Sequence, residues 1–174
     1  MALNILRGFT LIVNDETNLA LDIEEMKLPM LEEKSYDFTP GGSNVEIDIP
    51  LGVTNKCELP FKTFSNNTDV TGLYGMQPGL RVPFTAIHHE IDEETGRDIE
   101  VTLDVLGRIM KVEREEAKGG EKSGYDFMIS SIFRYSEVQD GRTFREYNFQ
   151  LGGWTVINGV GVNEGRRRIL RLGR

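Results

Sequence analysis

The sequence predicts an all-β domain with one short helix, built as a barrel or a sandwich. Three observations predict it. Apolar residues recur with a period of two, as on strands buried on one face, and not with the 3.6 of a helix. Turn-forming residues fall between the alternating runs. One segment alone carries helix-start chemistry. The length fits a single domain, residues 1–174. Apolar residues at 39% against 28% charged are enough for a packed core, which sets aside a disordered chain.

The elements follow in order. Phe9–Val13 and Leu19–Ile23 flank Asn14–Asn18, a predicted hairpin. Leu28-Pro29-Met30-Leu31 leads into Glu32–Thr39. Pro40-Gly41-Gly42 then turns the chain, and Ser43–Ile49 returns. Residues 28–50 thus form a long hairpin arm with Tyr36 and Phe38 near its tip. On its return strand Val45, Ile47 and Ile49 alternate with Glu46 and Asp48. Ser65–Asp69 supplies caps and an early acid, so a short helix starts with its N-cap at Asn66 or Asn67. Gly72 leaves that helix dependent on packing. Leu80, Val82, Phe84 and Ala86 form the next strand, and Pro83 within it predicts an edge position or a bulge. Asp92–Gly96 turns into Ile99, Val101, Leu103 and Val105, which alternate with Glu100, Thr102 and Asp104. After Lys118–Glu121, residues Tyr125, Phe127, Ile129, Phe133 and Tyr135 share one parity. Asp140-Gly141 is a tight hairpin signal between Ser130–Val138 and Thr143–Leu151, and an aromatic strand spans Phe144–Trp154. Gly159–Gly165 reads as a flexible turn, and Arg166–Leu170 allows a second helical turn.

Tests for chemistry end without a site. His88 and His89 are adjacent on a strand and point to opposite faces, so they do not share a metal. Cys57 stands alone, which excludes an intrachain disulfide. With no signal-peptide pattern, it points to a reducing, intracellular place of synthesis. Gly159–Gly165 lacks the spacing and the Lys-Ser/Thr ending of a phosphate loop. The longest uncharged stretch, Tyr147–Asn163, is broken by glycines and is no membrane span. No catalytic residue, cofactor or metal is assigned.

The net charge of −8 hides a split. Residues 166–174 hold five arginines and no acid, so residues 1–165 sum to −13. That body repels phosphate and disfavours nucleic-acid binding. The basic C-terminal tail, 163–174, is either a solvated terminus or a contact to an acidic partner. The rings of Tyr36 and Phe38 are hard to bury within one small domain. Either the arm folds back on its own barrel, or a neighbouring subunit covers it.

Several blocks, in this order, resemble a known family. They are Leu28-Pro29-x-Leu31, Tyr36, Gly41-Gly42 and Asp48-Ile49-Pro50-Leu51-Gly52. Leu106–Val112 with Glu115–Glu121 follows, then the aromatic strand Phe127–Tyr135. Val156–Val160 precedes an Arg-rich end with Leu172-Gly173. From about residue 9 onwards the chain resembles the major tail tube protein of contractile-tailed phages and of phage-tail-like bacteriocins. Asp37-Phe38-Thr39 and Ser43-Asn44 depart from that family's loop pattern.

The resemblance implies a structural subunit, not an enzyme. Copies form hexameric rings, and the rings stack into a hollow tube in a virion tail, assembled in the cytoplasm of a bacterial host. Implied partners are further copies, a sheath, a tape-measure protein, a baseplate and a tail terminator, with no membrane anchor. Expected interface residues are Tyr36, Phe38, Pro40, Gly41 and Gly42 on the arm and Arg166, Arg167 and Arg168 on the tail. DNA would pass an acidic bore without specific binding, repelled over about 8 Å at physiological salt. Glu46, Asp48, Glu100 and Asp104 are the candidate lumen residues. A bacteriocin or injection-system tube fits the same residues. So does a monomeric β-barrel whose strands Tyr125–Tyr135 and Phe144–Trp154 line a ligand pocket.

Overall fold

The computed structural model describes residues 3–116 and 118–173. Met1 and Ala2, Ala117 of the Glu115–Glu121 block, and Arg174 of the basic tail lie outside the described residues.

β1 (Asn4–Val13) turns at Asn14 and Asp15, both at positive φ, into β2 (Thr17–Asn18). The return strand is these two residues and not Leu19–Ile23. Leu19 instead drops into the core, and Asp22 and Ile23 both donate backbone N–H bonds to its carbonyl, which carries the chain off the sheet. β3 (Ile23–Met26) follows. Leu28 and Leu31 then pack against the core and Pro29 is buried, so this stretch belongs to the body and not to the arm. The arm is β4 (Glu33–Phe38) and β5 (Ile47–Thr54), a two-stranded sheet of its own whose return strand runs on past Ile49.

β6 (Leu59–Thr63) leads into α1 (Thr68–Thr71). The Asn67 side chain caps α1 by accepting from the amides of Asp69 and Val70, and buried Val70 provides the packing this short helix needs. β7 (Val82–Asp92), β8 (Asp98–Arg114) and β9 (Tyr125–Gln139) are the long strands. Order β3–β6–β9–β8–β7–β1–β2 curls until its two ends share one core. Leu11, Val13 and Leu19 from one end meet Leu59 and Phe61 from the other, around Phe84, Leu103, Ile109 and Ile129. Phe61 stacks on Phe127 at 4.8 Å, so aromatic side chains fill the interior.

Pro83 is not at an edge: β7 lies between β1 and β8. It sits just beyond the last β1 pair, Val13 with Phe84, and its carbonyl accepts from Asn14 N–H. Backbone N and carbonyl of a strand residue face the same side. The missing Pro83 donor therefore falls where β1 has already ended, and no ladder bond is lost. Leu80 lies outside the strand, which opens at Val82.

β9 bends midway. Arg108 faces Ser130 and Leu106 faces Arg134, so Gly107 alone opposes residues 131–133. A Cβ on Gly107 would come within 2.9 Å of the Ile129 side chain, so a larger residue there forces the Ile129 side chain to move. Ser131 adopts φ 53°, uncommon for serine. Arg81 holds it: Nε donates to the Ser131 carbonyl at 2.9 Å and Nη2 to its Oγ at 2.8 Å, with the guanidinium over the Phe133 ring. The first half of β9 thus stays in the barrel beside β6. Its second half opens into a wing of β10 (Arg142–Asn148), β11 (Gly153–Ile157) and β12 (Val160–Gly161).

The turns Asp140-Gly141 and Asn158-Gly159 both have positive φ at each residue, as tight hairpins need. Asn158-Gly159 therefore joins two strands, and the Gly159–Gly165 stretch is no featureless loop. Phe144–Trp154 is not one strand either. Asn148 caps a 3-10 turn at Phe149–Leu151 by accepting from the Gln150 amide. The tail is ordered as α2 (Glu164–Leu170), and beyond it Leu172 lies over Gly152.

Candidate assembly surface

The arm separates its faces by register. Tyr36 pairs with Ile49 and Phe38 with Ile47, which puts four apolar side chains on one face. Asp37 pairs with Asp48 on the other. All of β4 is exposed, and all of β5 but Thr54. Tyr36 is 60% and Ile47 51% exposed, so the arm does not fold back on its own barrel. A two-stranded hairpin is marginal by itself, and a contiguous apolar face of this kind calls for a cover. Pro40, Gly41 and Gly42 form the tip, where Ser43 N–H bonds back to the Pro40 carbonyl.

The root is fixed. Asn55 N–H donates to the Glu32 carbonyl at 2.8 Å, so the two ends of the arm meet. The Trp154 indole N–H donates to Thr54 Oγ1 at 2.7 Å. At this root lies a groove of about 430 Å³ lined by Phe133, Phe149 and Trp154, by Val53 and Thr54 of the arm itself, and by Lys56, Cys57 and Arg166. Phe133 stacks on Phe149 at 4.8 Å. Burial pushes the Cys57 thiol above its ordinary range, which keeps it protonated near neutrality. The expected aromatic strands thus part company. Tyr125, Phe127 and Tyr135 are core, whereas Phe133, Phe149 and Trp154 line this outer groove.

The three tail arginines do not act as one patch. Arg166 reaches the groove, Arg167 Nη2 donates to its own Val162 carbonyl, and Arg168 is exposed.

The four acids singled out from alternation do not share a sheet: Glu100 and Asp104 lie on the barrel sheet, Asp48 on the arm, and Glu46 just before β5 opens. Glu100 and Asp104 share one face of β8, about 13 Å apart along the strand. Thr85, Asp104, Ser136 and Glu146 make one row across β7 to β10. Thr85 Oγ1 donates to Asp104 at 2.6 Å, and Thr102 Oγ1 to Glu100 at 2.9 Å. This hydroxyl-and-carboxylate face is the polar side of the barrel wall. Glu46 and Asp48 belong to the arm instead. Alternation gave each acid its face but not its sheet. Glu146 was missed because its strand reads as aromatic; its place between Phe144 and Tyr147 hid the polar face it shares with Asp104.

Asp48, by a shared hydrogen bond and by its charge, holds the Asp37 carboxyl above the usual range. A carboxyl raised in the folded state stabilises the fold while protonated, and that contribution is lost as pH rises through its raised pKa. Amide exchange over Ser35–Ile49, corrected for intrinsic rates, should therefore slow on acidification. Asp48→Asn should flatten this dependence and protect the arm at neutral pH. An unchanged profile in the variant would show that the pair does not govern the hairpin.

His88 and His89 do face opposite ways. His88 lies against Phe9, and burial lowers its pKa, whereas His89 Nε2 sits 2.7 Å from an Asp98 carboxylate oxygen. Among the described residues no three His, Cys, Asp or Glu side chains gather to hold a metal ion. No helix among them is long and apolar enough to cross a membrane.

β1 completes the surface. Beyond Ile12 and Val13 its outer side pairs with no strand among the described residues, and Leu3, Ile5 and Leu6 are exposed along it. The second half of β8 pairs with β9 alone among the described residues. Open apolar edges of this length are templates for pairing with another chain.

Solved structures share this fold. A chain of the sheath–tube complex of an extracellular contractile injection system (PVC, extended state) has 11% identity and a TM-score of 0.55, covering 75% of this chain and 88% of that one. A chain of the same system's sheath/tube terminator has 10% identity and a TM-score of 0.54, covering 75% and 93%. A chain of the anti-feeding prophage baseplate has 8% identity and a TM-score of 0.56, covering 79% and 97%. At these identities the likeness is one of fold. No curated protein matches the sequence. The family model for phage tail tube protein FII matches residues 3–170, and the chain therefore belongs to that family of structural tube proteins.

Proposed function

We propose that six copies of this chain form a ring, and that the rings stack into the hollow tube of a contractile phage tail. The observation that carries this reading is the uncovered apolar face of the arm, Tyr36, Phe38, Ile47 and Ile49, on a member of a tube family. Ring closure joins the open β1 edge of one copy to a free edge of the next, which removes both edges at once. The arm and the Arg166–Arg168 tail hold neighbouring copies.

The polar face of β7 to β10, with Glu100, Asp104 and Glu146, faces the bore. There it repels DNA phosphates instead of binding them. Glu46 and Asp48 contribute to that wall only where an arm reaches it. Sheath, terminator and baseplate are the outer and terminal partners, as in the assemblies that hold the chains of similar fold. A tape-measure protein occupies the bore before DNA, within a virion tail built in the bacterial cytoplasm.

Electron microscopy of the concentrated protein, seeded with fragments of native tubes, tests this. Hollow tubes or six-membered rings are expected. A species of about 20 kDa that stays monomeric even with seeds overturns the reading. A solved tube with a neutral or basic bore overturns the lumen assignment alone.

A further inference from the structure

The tube reading leaves open what covers the arm, and the following rests on that reading. We infer that the groove at the arm root is the seat for the arm of a second copy, which places its Phe38 ring against Phe133 and Phe149.

Three observations carry this. First, the arm cannot occupy its own groove. Its root, Thr54, is tied to the groove wall through Trp154, and Ile47, opposite Phe38, lies seven residues along β5. That is about 23 Å at strand rise, and the tip could turn back only by melting both strands. Second, the surfaces match in chemistry. The groove presents exposed Phe149 and half-buried Phe133 and Trp154, and the arm presents Tyr36, Phe38 and Ile47. Residues 32–54 carry five acids (Glu32, Glu33, Asp37, Glu46, Asp48) against Lys34, for a net charge of −4. Arg166 lines the groove together with Lys56, which pairs with Glu58 at 2.6 Å, and the Arg81 guanidinium lies over Phe133. Opposite charge steers the encounter, and aromatic burial holds it. Third, the groove is lined partly by the base of β5 (Gly52, Val53 and Thr54), whereas Phe38 stands opposite Ile47 near the other end of that strand, so each copy offers an arm tip and a groove as two distinct patches. Such a heterologous contact repeats from copy to copy and propagates an assembly, which a self-complementary contact does not.

The chain carries its own reporter, since Cys57 lines the groove and is the sole cysteine. The experiment introduces Phe38→Cys, assembles tubes, and oxidises them with copper phenanthroline. A ladder of disulfide-linked oligomers beyond the dimer is expected on a non-reducing gel. One cysteine on the arm and one in the groove link copies in series. Phe38→Cys with Cys57→Ser must stop at the dimer. Well-formed tubes that yield no ladder overturn the groove assignment and leave the tube reading intact. Absence of tubes from the unaltered protein strikes the tube reading first. Should Phe38→Cys itself block assembly, Ile47→Cys, its partner on the same face, carries the same test. A link from Cys57 to a sheath or baseplate protein in place of the ladder overturns the second copy as occupant.

Discussion

Replacement of Glu33–Thr54 by two glycines should leave a folded domain that no longer assembles. The graft is short because Asn55 N–H already bonds to the Glu32 carbonyl, so the two ends lie against each other. The body gives up little. Nearly all of β4 and β5 is exposed, and what leaves the body with them is the hydrogen bond from Trp154 to Thr54 and the share of the groove lining held by Gly52, Val53 and Thr54. A single hydrogen bond of that kind contributes about 0.5–1.5 kcal/mol, so cooperative urea unfolding should persist with a slightly lower midpoint. Assembly suffers far more. Full burial of the two arm aromatics contributes about 3–6 kcal/mol, which corresponds to association weakened by at least about 100-fold. Sedimentation of seeded assemblies measures this. Tubes that form from the shortened chain at the original protein concentration would show that the arm is dispensable. Collapse of the monomer would show that it belongs to the core.

Phe84→Ala should act on the opposite quantity. Phe84 is 1% exposed at the centre of the cluster where both ends of the curled sheet meet. Truncation there leaves a cavity lined by β1, β7 and β8 side chains and should cost about 3–5 kcal/mol of unfolding free energy. Against a typical stability of about 5–15 kcal/mol, that is a large share, and a marginal variant unfolds near body temperature. Thermal and urea unfolding of the monomer provide the measurement. Phe38→Ala on the arm is the control: the same atoms removed from an exposed site should leave the monomer's stability within about 0.5 kcal/mol. A Phe84→Ala cost below about 1 kcal/mol would mean that the core is not closed around this ring.

Much of the core was legible because alternation encodes it directly. Ile99, Leu103 and Val105 are buried and Glu100 and Asp104 are not, as their parity requires. The cap was legible to within one residue, Asn66 or Asn67, for a local reason, since the Asn67 side chain needs only the amides of Asp69 and Val70. What escaped depends on distant partners. Phe133 has the parity of Tyr135, yet it leaves the core because β9 bends at Ser131, and that bend needs Arg81 fifty residues away. That Asp37 stands opposite Asp48 follows from arm register, which the loop between Phe38 and Ile47 sets. The start of α2 was hidden because Asn163 sits at its N-cap in the left-handed region without a capping side-chain bond. Its amide Nδ2 donates instead to the Trp154 carbonyl. The placement of Tyr36, Phe38, Pro40, Gly41, Gly42 and the three arginines at contacts between copies is a proposal for the assembled state.

The meeting of the arm's two ends has a consequence for how such a protein changes over generations. An element whose ends touch is an insertion from the barrel's point of view. Its length and residues can drift without moving a single core pair. Selection on the fold then acts through Phe84 and its neighbours and leaves the arm free to vary. Two lineages can therefore keep one barrel while their arms diverge in length and sequence.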